Sequence, residues 1–369
     1  MKISGIICEL NPPHNGHQYL VEETKKRTNC DFVIAIMSGD FVQRGTPAMY
    51  DYQTRAFMAL NIGFDAVIYM PTVYSLSPAN DFAKFSVQIA NSLNLDYLSF
   101  GISKSEEEIG ILYSILLCEN NDFKKILSAN LKKGISYATA FTQALENITN
   151  IHHISGDDIL ALQYMLHINS KITTLPIARH PKYSATKLRQ HILSKDYTPI
   201  KTFVNESNYK IISDISPLNY TYYQTFLYHN LVTEKIENFQ KVKSIKEGLE
   251  NRIIHALNTT TNYYDFNEKV KNKRYTQSFL NRLYSNILLG INNDIPIQLP
   301  YIKIISAKNN GILNYLKSNL PIVTTLKNKT ILNEYSIYSI DTIASRIYNI
   351  ITNNVCPPFP FHKITIHNI

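Results

Sequence analysis

Apolar positions in the first 200 residues follow two rhythms. Short unbroken runs at Ile3 to Ile7, Phe32 to Met37, Asp65 to Met70 and Tyr97 to Phe100 have the length and β-branched content of buried strands. Between them, apolar residues recur at helical spacing, as on a helix that covers a sheet. Leu20 to Arg27 is the first such stretch. Asp51 caps the second, which runs to about Asn61 with Gly63 just beyond, and the third runs from Asn80 to Leu93. Pro71 stops the third strand and Gly101 ends the fourth. The alternation predicts an α/β fold with a doubly wound parallel sheet, whose ligands lie at the carboxyl ends of its strands.

Residues 105–150 lose the strand rhythm. Helices are predicted at 106–118, 122–131 and 136–145, as an inserted helical cap. Ser155-Gly156-Asp157-Asp158 then opens a helix to about His167, Thr173 to Ala178 is a fifth strand, and Ser184 starts another helix. Beyond this the texture changes. Asn and Tyr become frequent, helices are predicted at 233–257 and 275–290, and strands at 301–306 and 321–325 flank a helix. The expected division is a catalytic unit at 1–195, with its insertion at about 105–150, and a mainly helical unit at 196–369.

Charge sharpens that division. The net charge is +8, yet residues 1–200 hold 18 basic and 18 acidic side chains, and the remaining 19 basic and 11 acidic ones lie beyond. A neutral front half with a basic back half fits a catalytic unit joined to one that binds a polyanion, and by charge alone it fits ordinary lysine-rich solvation at least as well. Cys8, Cys30, Cys118 and Cys356 form no CxxC pair and read as reduced thiols, not as a zinc site or disulfide frame. No apolar run approaches the ~20 residues of a membrane span, and Met1-Lys2-Ile3-Ser4 leads straight into a strand. The expectation is a cytoplasmic chain with no membrane and no protein partner.

The candidate chemistry sits where the first strand turns into a helix. His14-Asn15-Gly16-His17 puts two imidazoles at a helix start, whose backbone N–H groups favour anions, and Gly16 allows close approach to the backbone. Histidines there can donate to a phosphate and steady the charge that develops as it is attacked. Ser184, Thr186 and Arg189 repeat the theme after the fifth strand: hydroxyls that can cap a helix or meet phosphate, and a guanidinium that can grip it with two bonds.

His14-Asn15-Gly16-His17 resembles the HxGH signature of the nucleotidylyltransferase superfamily, and Ser184-Ala185-Thr186-Lys187-Leu188-Arg189 resembles the ISSTxxR-like motif that accompanies it. With Ser38-Gly39-Asp40-Phe41-Val42-Gln43-Arg44-Gly45, Lys273-Arg274-Tyr275-Thr276 and the string 246–252, nearly the whole chain resembles the bacterial tRNA(Met) cytidine acetate ligase family. The resemblance implies a HUP/Rossmann-like nucleotidylyltransferase fold. It implies ATP on Ile7-Cys8-Glu9-Leu10-Asn11-Pro12-Pro13-His14-Asn15-Gly16-His17-Gln18-Tyr19-Leu20, with Gly101, Asp157, Arg179, His180, Ser184 and Thr186, and His14, His17 and Arg189 as the catalytic groups. Magnesium would screen the triphosphate, without a dedicated protein metal site. Elongator methionine tRNA would dock on Lys271, Lys273, Arg274 and Tyr275, and its wobble cytidine would become N4-acetylcytidine through an acetyl-adenylate made from ATP and acetate. The chain departs from the family pattern at Tyr69, Asn80 and Ser103, where acids are usual, at Asp157, where asparagine is usual, and at His180, where an aliphatic residue is usual. Gln43 and Arg44 could reach a carboxylate or RNA, and Arg55 is expected to pair with Asp51 along a helix. Two other readings stay open: a small-molecule nucleotidylyltransferase, and a tRNA-binding protein with a decayed active site.

Overall fold

The computed structural model describes residues 1–235, 239, 241–242, 245, 248–293, 298–324, 336–353 and 364–367. The five expected strands form as β1 (Ile3–Cys8), β2 (Phe32–Ser38), β3 (Ala66–Met70), β4 (Tyr97–Ile102) and β5 (Thr173–Ala178). They pair in parallel in the order β5-β4-β1-β2-β3. Building therefore reverses at β1, and the crevice between the carboxyl ends of β1 and β4 is the switch point at which such sheets hold ligands.

Strand alternation explains why both faces are covered. Val33, Ala35 and Met37 pack with residues of α1 (Asn15–Thr28) and α2 (Tyr52–Asn61). Ile34 and Ile36 point the other way. They join the cluster of the single turn α3 (Thr72–Ser75) and of α4 (Ala79–Ser92). The insertion forms as α5 (Glu106–Leu117), α6 (Asn121–Lys132) and α7 (Tyr137–Thr149), followed by α8 (Gly156–His167).

After β5 come α9 (Ala185–Leu193), α10 (Tyr197–Phe203), α11 (Glu206–Asp214) and α12 (Tyr220–Thr233). The helix expected at 233–257 does not form as one piece: α12 ends at Thr233 and α13 begins at Leu249 (Leu249–Asn258). The break follows from Glu234, whose backbone is extended, and from Gly248, whose φ of +76° lies in the left-handed region that a helix interior lacks. Then come α14 (Tyr263–Val270) and α15 (Gln277–Leu288).

The sheet does not stop at residue 195. β6 (Ile302–Ala307) pairs antiparallel with β3, and β7 (Ile322–Val323) and β8 (Thr365–Ile366) pair parallel with β6. The expected parallel sheet of β1 to β5 is thus extended into a mixed one by an antiparallel strand from the back half. The reason is the edge of β3, a row of unpaired backbone groups between two apolar faces, which β6 covers with Ile304 and Ile305 buried on opposite sides. Beyond β6 lies α16 (Asn310–Tyr315), and α17 (Ser336–Thr352) then binds back to the front half. Ser345 Oγ donates to Asp40 at 2.7 Å, Tyr348 Oη to the Ala48 carbonyl at 3.0 Å, and Thr72 N to Asp341 at 2.7 Å. Residue 325 of the second short strand expected, and Cys356, lie outside the described residues.

Candidate active site

The β1–α1 turn holds its two histidines by a reciprocal cap. His14 Nδ1 accepts from Gly16 N at 3.0 Å, and His17 Nδ1 accepts from His14 N at 3.2 Å. The rings lie 3.9 Å apart between centroids. Burial pushes both imidazole pKa values down, with Arg179 adding to the effect: His14 to about 4, and His17, which also feels His14, well below the usual value. Both are therefore neutral near pH 7. Because each Nδ1 is an acceptor, the proton of each neutral ring belongs on Nε2, assigned here from the hydrogen bonds. The turn thus carries two fixed Nε2–H donors beside the N-terminus of α1. A side chain at position 16 would run into the His14 ring at 2.8 Å, so the cap itself requires glycine there.

Three guanidinium groups converge on this turn. Arg189 donates to the Asn11 carbonyl at 2.7 Å and to Thr186 Oγ1 at 3.1 Å, which ties α9 to the β1–α1 loop. Arg179 follows β5 and forms an ion pair with Asp157 in the first turn of α8. Exposed Arg44, on the loop after β2, acts electrostatically on Glu9, Arg179 and Arg189. Glu9 accepts from Gln43 N at 2.9 Å, and burial raises its pKa above the ordinary carboxylate value against the pull of Arg44. Gly101, the last residue but one of β4, stands where a Cβ would meet Arg179 Cγ at 3.0 Å, so its lack of a side chain lets Arg179 lie across that end of the strand.

The remaining candidates sort by what they touch. Ser184 occupies the cap position of α9 but makes no capping hydrogen bond. His180 packs against Tyr19 and Tyr183. Asp157 faces the structure as the partner of Arg179, so its charge is compensated. Its neighbour Asp158, which sequence reasoning passed over, is fully buried and accepts from Ser103 N at 2.7 Å and Lys104 N at 3.2 Å, pinning the β4–α5 loop to α8. The Arg55 expectation is corrected. Arg55 is fully buried and makes no pair with Asp51; it donates to the carbonyls of Tyr50 at 2.9 Å, Glu9 at 2.5 Å, Ser38 at 3.1 Å and Gly39. It thereby fixes the ends of β1 and β2, while Asp51 caps α2 through Gln53 N and Thr54 N. Sequence spacing gave no sign of this, because carbonyl acceptors carry no residue identity. Tyr69 is buried away from the histidines and bonds Asp341 and Thr72 at 3.1 and 3.2 Å. Among the described residues, no group of three or more His, Cys, Asp or Glu could hold a metal ion.

The HIGH Nucleotidyl Transferase family matches residues 1–358. A tRNA(Met) cytidine acetate ligase of Thermoanaerobacter sp. (strain X514) is 33% identical, with 96% of each chain covered. One of Clostridium novyi (strain NT) is 34% identical over 89% of this chain and 88% of its own. The chain belongs to the tRNA(Met) cytidine acetate ligase family. A solved member, Thermotoga maritima TmcAL bound with alpha-thio ATP, superposes with a TM-score of 0.89 at 27% identity, covering 100% of both chains.

In this member of the ligase family, the basic candidates of the back half lie apart from the histidine turn in sequence and on their own element. Lys273 and Arg274 are exposed on a tight turn between α14 and α15, where Asn272 Oδ1 accepts from Arg274 N at 2.8 Å and Tyr275 N at 3.1 Å. Arg252 of α13 braces that turn through the Lys269 and Lys271 carbonyls, each at 3.0 Å. Lys271 pairs with Glu268 at 3.4 Å. Tyr275 is half-buried and stacks on Phe279 at 5.0 Å, which covers one face of its ring.

Proposed function

We propose that this protein is an ATP-dependent ligase that uses acetate to convert the wobble cytidine of elongator tRNA(Met) to N4-acetylcytidine. The observation that carries the reading is the pair of neutral histidines with backbone-fixed Nδ1 atoms beside Arg189, in a chain matched end to end by acetate ligases. In the first step an acetate oxygen bonds to the α-phosphorus of ATP and the bond to the pyrophosphate oxygen breaks. His14 and His17 donate from Nε2 to phosphate oxygens, Arg189 neutralises charge, and the α1 N-terminus adds its amides. In the second step the cytidine 4-amino nitrogen attacks the acetyl carbon, loses a proton, and AMP departs. No side chain forms a covalent intermediate, so positioning and charge stabilisation carry the rate. Arg44 is exposed beside Glu9 and supplies a cation for the acetate carboxylate. Magnesium would enter on the phosphates, as it commonly does, and no step here depends on it. We place the activity in the cytoplasm, where ATP and tRNA meet; among the described residues no helix is long and apolar enough to cross a membrane.

The test is to incubate the full chain with ATP, acetate and an elongator tRNA(Met) transcript and to read nucleosides by mass spectrometry. Acetylcytidine that requires both ATP and acetate supports the reading. Pyrophosphate release with no change in the RNA would favour a small-molecule nucleotidylyltransferase, and neither signal would leave a tRNA-binding protein without this chemistry.

A further inference from the structure

The loop at residues 43–46 has two sides. At one end Gln43 N bonds Glu9 in the candidate active site. At the other, Gly45 and Thr46 form one wall of a cavity of about 260 Å³, open to solvent on one side and otherwise bounded by α12, α14 and α15. His14, His17, Arg179 and Arg189 do not line it.

The lining has an unusual chemistry for a cleft between helices. Four tyrosines stand in it: Tyr220, Tyr223, Tyr263 and Tyr264. Tyr223 is held by Ser285 at 3.2 Å, whereas Tyr264 is 73% exposed, a large aromatic side chain left in solvent at the cavity. Around the rings are one carboxylate, Glu268, whose charge Lys271 meets at 3.4 Å, and a set of amides. Asn267 and Gln277 exchange hydrogen bonds of 3.0 and 3.1 Å, and Gln277 donates to Asn281 Oδ1 at 2.8 Å. That ladder fixes the oxygen of Asn281 as an acceptor and leaves its NH2 as a donor. Gln224 is exposed on α12 and also lines the cavity.

Flat π-faces with nearby amide donors and acceptors suit a planar ring with a hydrogen-bonding edge. Such sites bind unstacked nucleobases: aromatic faces take any base, and amides read its edge. The volume is below the ~300–1,000 Å³ of drug-sized pockets, which fits one ring system. The basic turn at Lys271 to Arg274 directly follows α14, so cations that can meet the adjoining phosphates lie on the next stretch of chain. We propose that this cavity receives one splayed nucleobase of the bound RNA, next to the reacting cytidine and distinct from it. The reacting amino group must reach the acyl group at the histidine turn, at the other end of the loop. This proposal rests on the acetate ligase reading.

The loop gives base binding a mechanical link to that site. Ser285 Oγ donates to the Gly45 carbonyl at 2.8 Å and Arg282 to the Gln43 carbonyl at 3.1 Å, so the helix that walls the cavity also holds the loop that bonds Glu9.

The experiment uses the full chain and elongator tRNA(Met) transcript, with Tyr264→Ala, Tyr264→Phe and Gln224→Ala. Kd is measured at about 50 and 200 mM salt, with melting temperature as the folding control and acetylcytidine formed by the unaltered chain as the test of the underlying reading. Tyr264→Ala should weaken binding about tenfold, the scale of one stacked base, while Tyr264→Phe binds like the unaltered chain. Gln224→Ala should weaken binding by a smaller factor. The salt slope should not change, because stacking releases no counterions. Unaltered binding by both alanine variants, or a failure of phenylalanine to restore it, would overturn the proposal, as would a reduced salt slope in Tyr264→Ala. If the unaltered chain acetylates tRNA and the variants bind normally, the cavity assignment alone falls. If the unaltered chain neither binds nor acetylates tRNA, the ligase reading falls and takes this one with it.

Discussion

At the scale of single residues, the site depends on which nitrogen carries a proton. In the proposed chemistry His17 donates to phosphate from Nε2, because its Nδ1 accepts from His14 N. His17→Ala removes the donor and half of the cap, and acetate-dependent pyrophosphate release should fall about 10²–10³-fold, the usual loss for one preorganised donor. An unaltered rate would remove His17 from the chemistry. Asp341 gives a second prediction, this one about pH. Burial raises its carboxyl pKa to about 7, and its Oδ1 accepts from Thr72 N and Tyr69 Oη while Oδ2 has no partner. The folded chain therefore keeps this proton between about pH 4 and pH 7, where the unfolded chain has lost it, so the group's contribution to stability falls as pH rises through that window. Asp40, raised to about 6, acts in the same direction, and His14, lowered to about 4, opposes it between pH 4 and 6.5. Asp341→Asn keeps the Oδ1 acceptor and cannot ionise. Its melting temperature relative to the unaltered chain should rise from pH 5 to pH 7 and then level off; a constant difference would show that Asp341 does not titrate in the folded chain.

Between elements, the 43–46 loop lies tightly against α15. Gly45 has φ of +84°, and a Cβ there would stand 2.7 Å from Arg282 Cα. Gly45→Ala meets both a backbone penalty and a collision with main chain, so a loss of about 2–4 kcal/mol is expected. Urea unfolding measures it. A loss under about 1 kcal/mol would mean that α15 can move away from the loop at little cost. The glycine was visible in the sequence as part of the Ser38 to Gly45 string, but its reason was not, because the atoms it makes room for lie more than 230 residues further along the chain.

Across the whole molecule, the two functions we propose fall on two regions that share a sheet. Lys273→Ala with Arg274→Ala should lower the slope of log Kd against log salt by about 2 × 0.9 if both meet duplex-like backbone. Acetyl transfer should then need more tRNA, while pyrophosphate release from ATP and acetate without RNA continues. Joint loss of melting temperature, pyrophosphate release and acetyl transfer would instead make the turn a structural brace, a role that the Arg252 bonds to the Lys269 and Lys271 carbonyls make concrete. The shared sheet also bears on how the halves can be studied. A fragment ending near residue 195 would expose the edge of β3 and lose the Asp40 and Thr72 contacts to α17, so experiments on separate functions belong on the full chain.

The sequence by itself determined the local elements and the local chemistry. Unbroken apolar runs fixed five parallel strands, helical spacing fixed most of the helices between them, and the histidine turn was legible because its cap closes within four residues. Charge counting also located the basic half without any structure. What only the tertiary structure decided is everything that joins distant segments. Arg55 leaves its helix neighbour for four main-chain carbonyls, Asp157 becomes the partner of Arg179, β6 returns to pair with β3 from some 230 residues further along the chain, and the tyrosine cavity assembles from a loop and three helices. The physical reason is one of range. Periodicity and capping are set by neighbours a few residues apart and are written in the order of the side chains. Edge pairing, buried cations and composite cavities satisfy backbone groups and surfaces that come together only when the chain has folded.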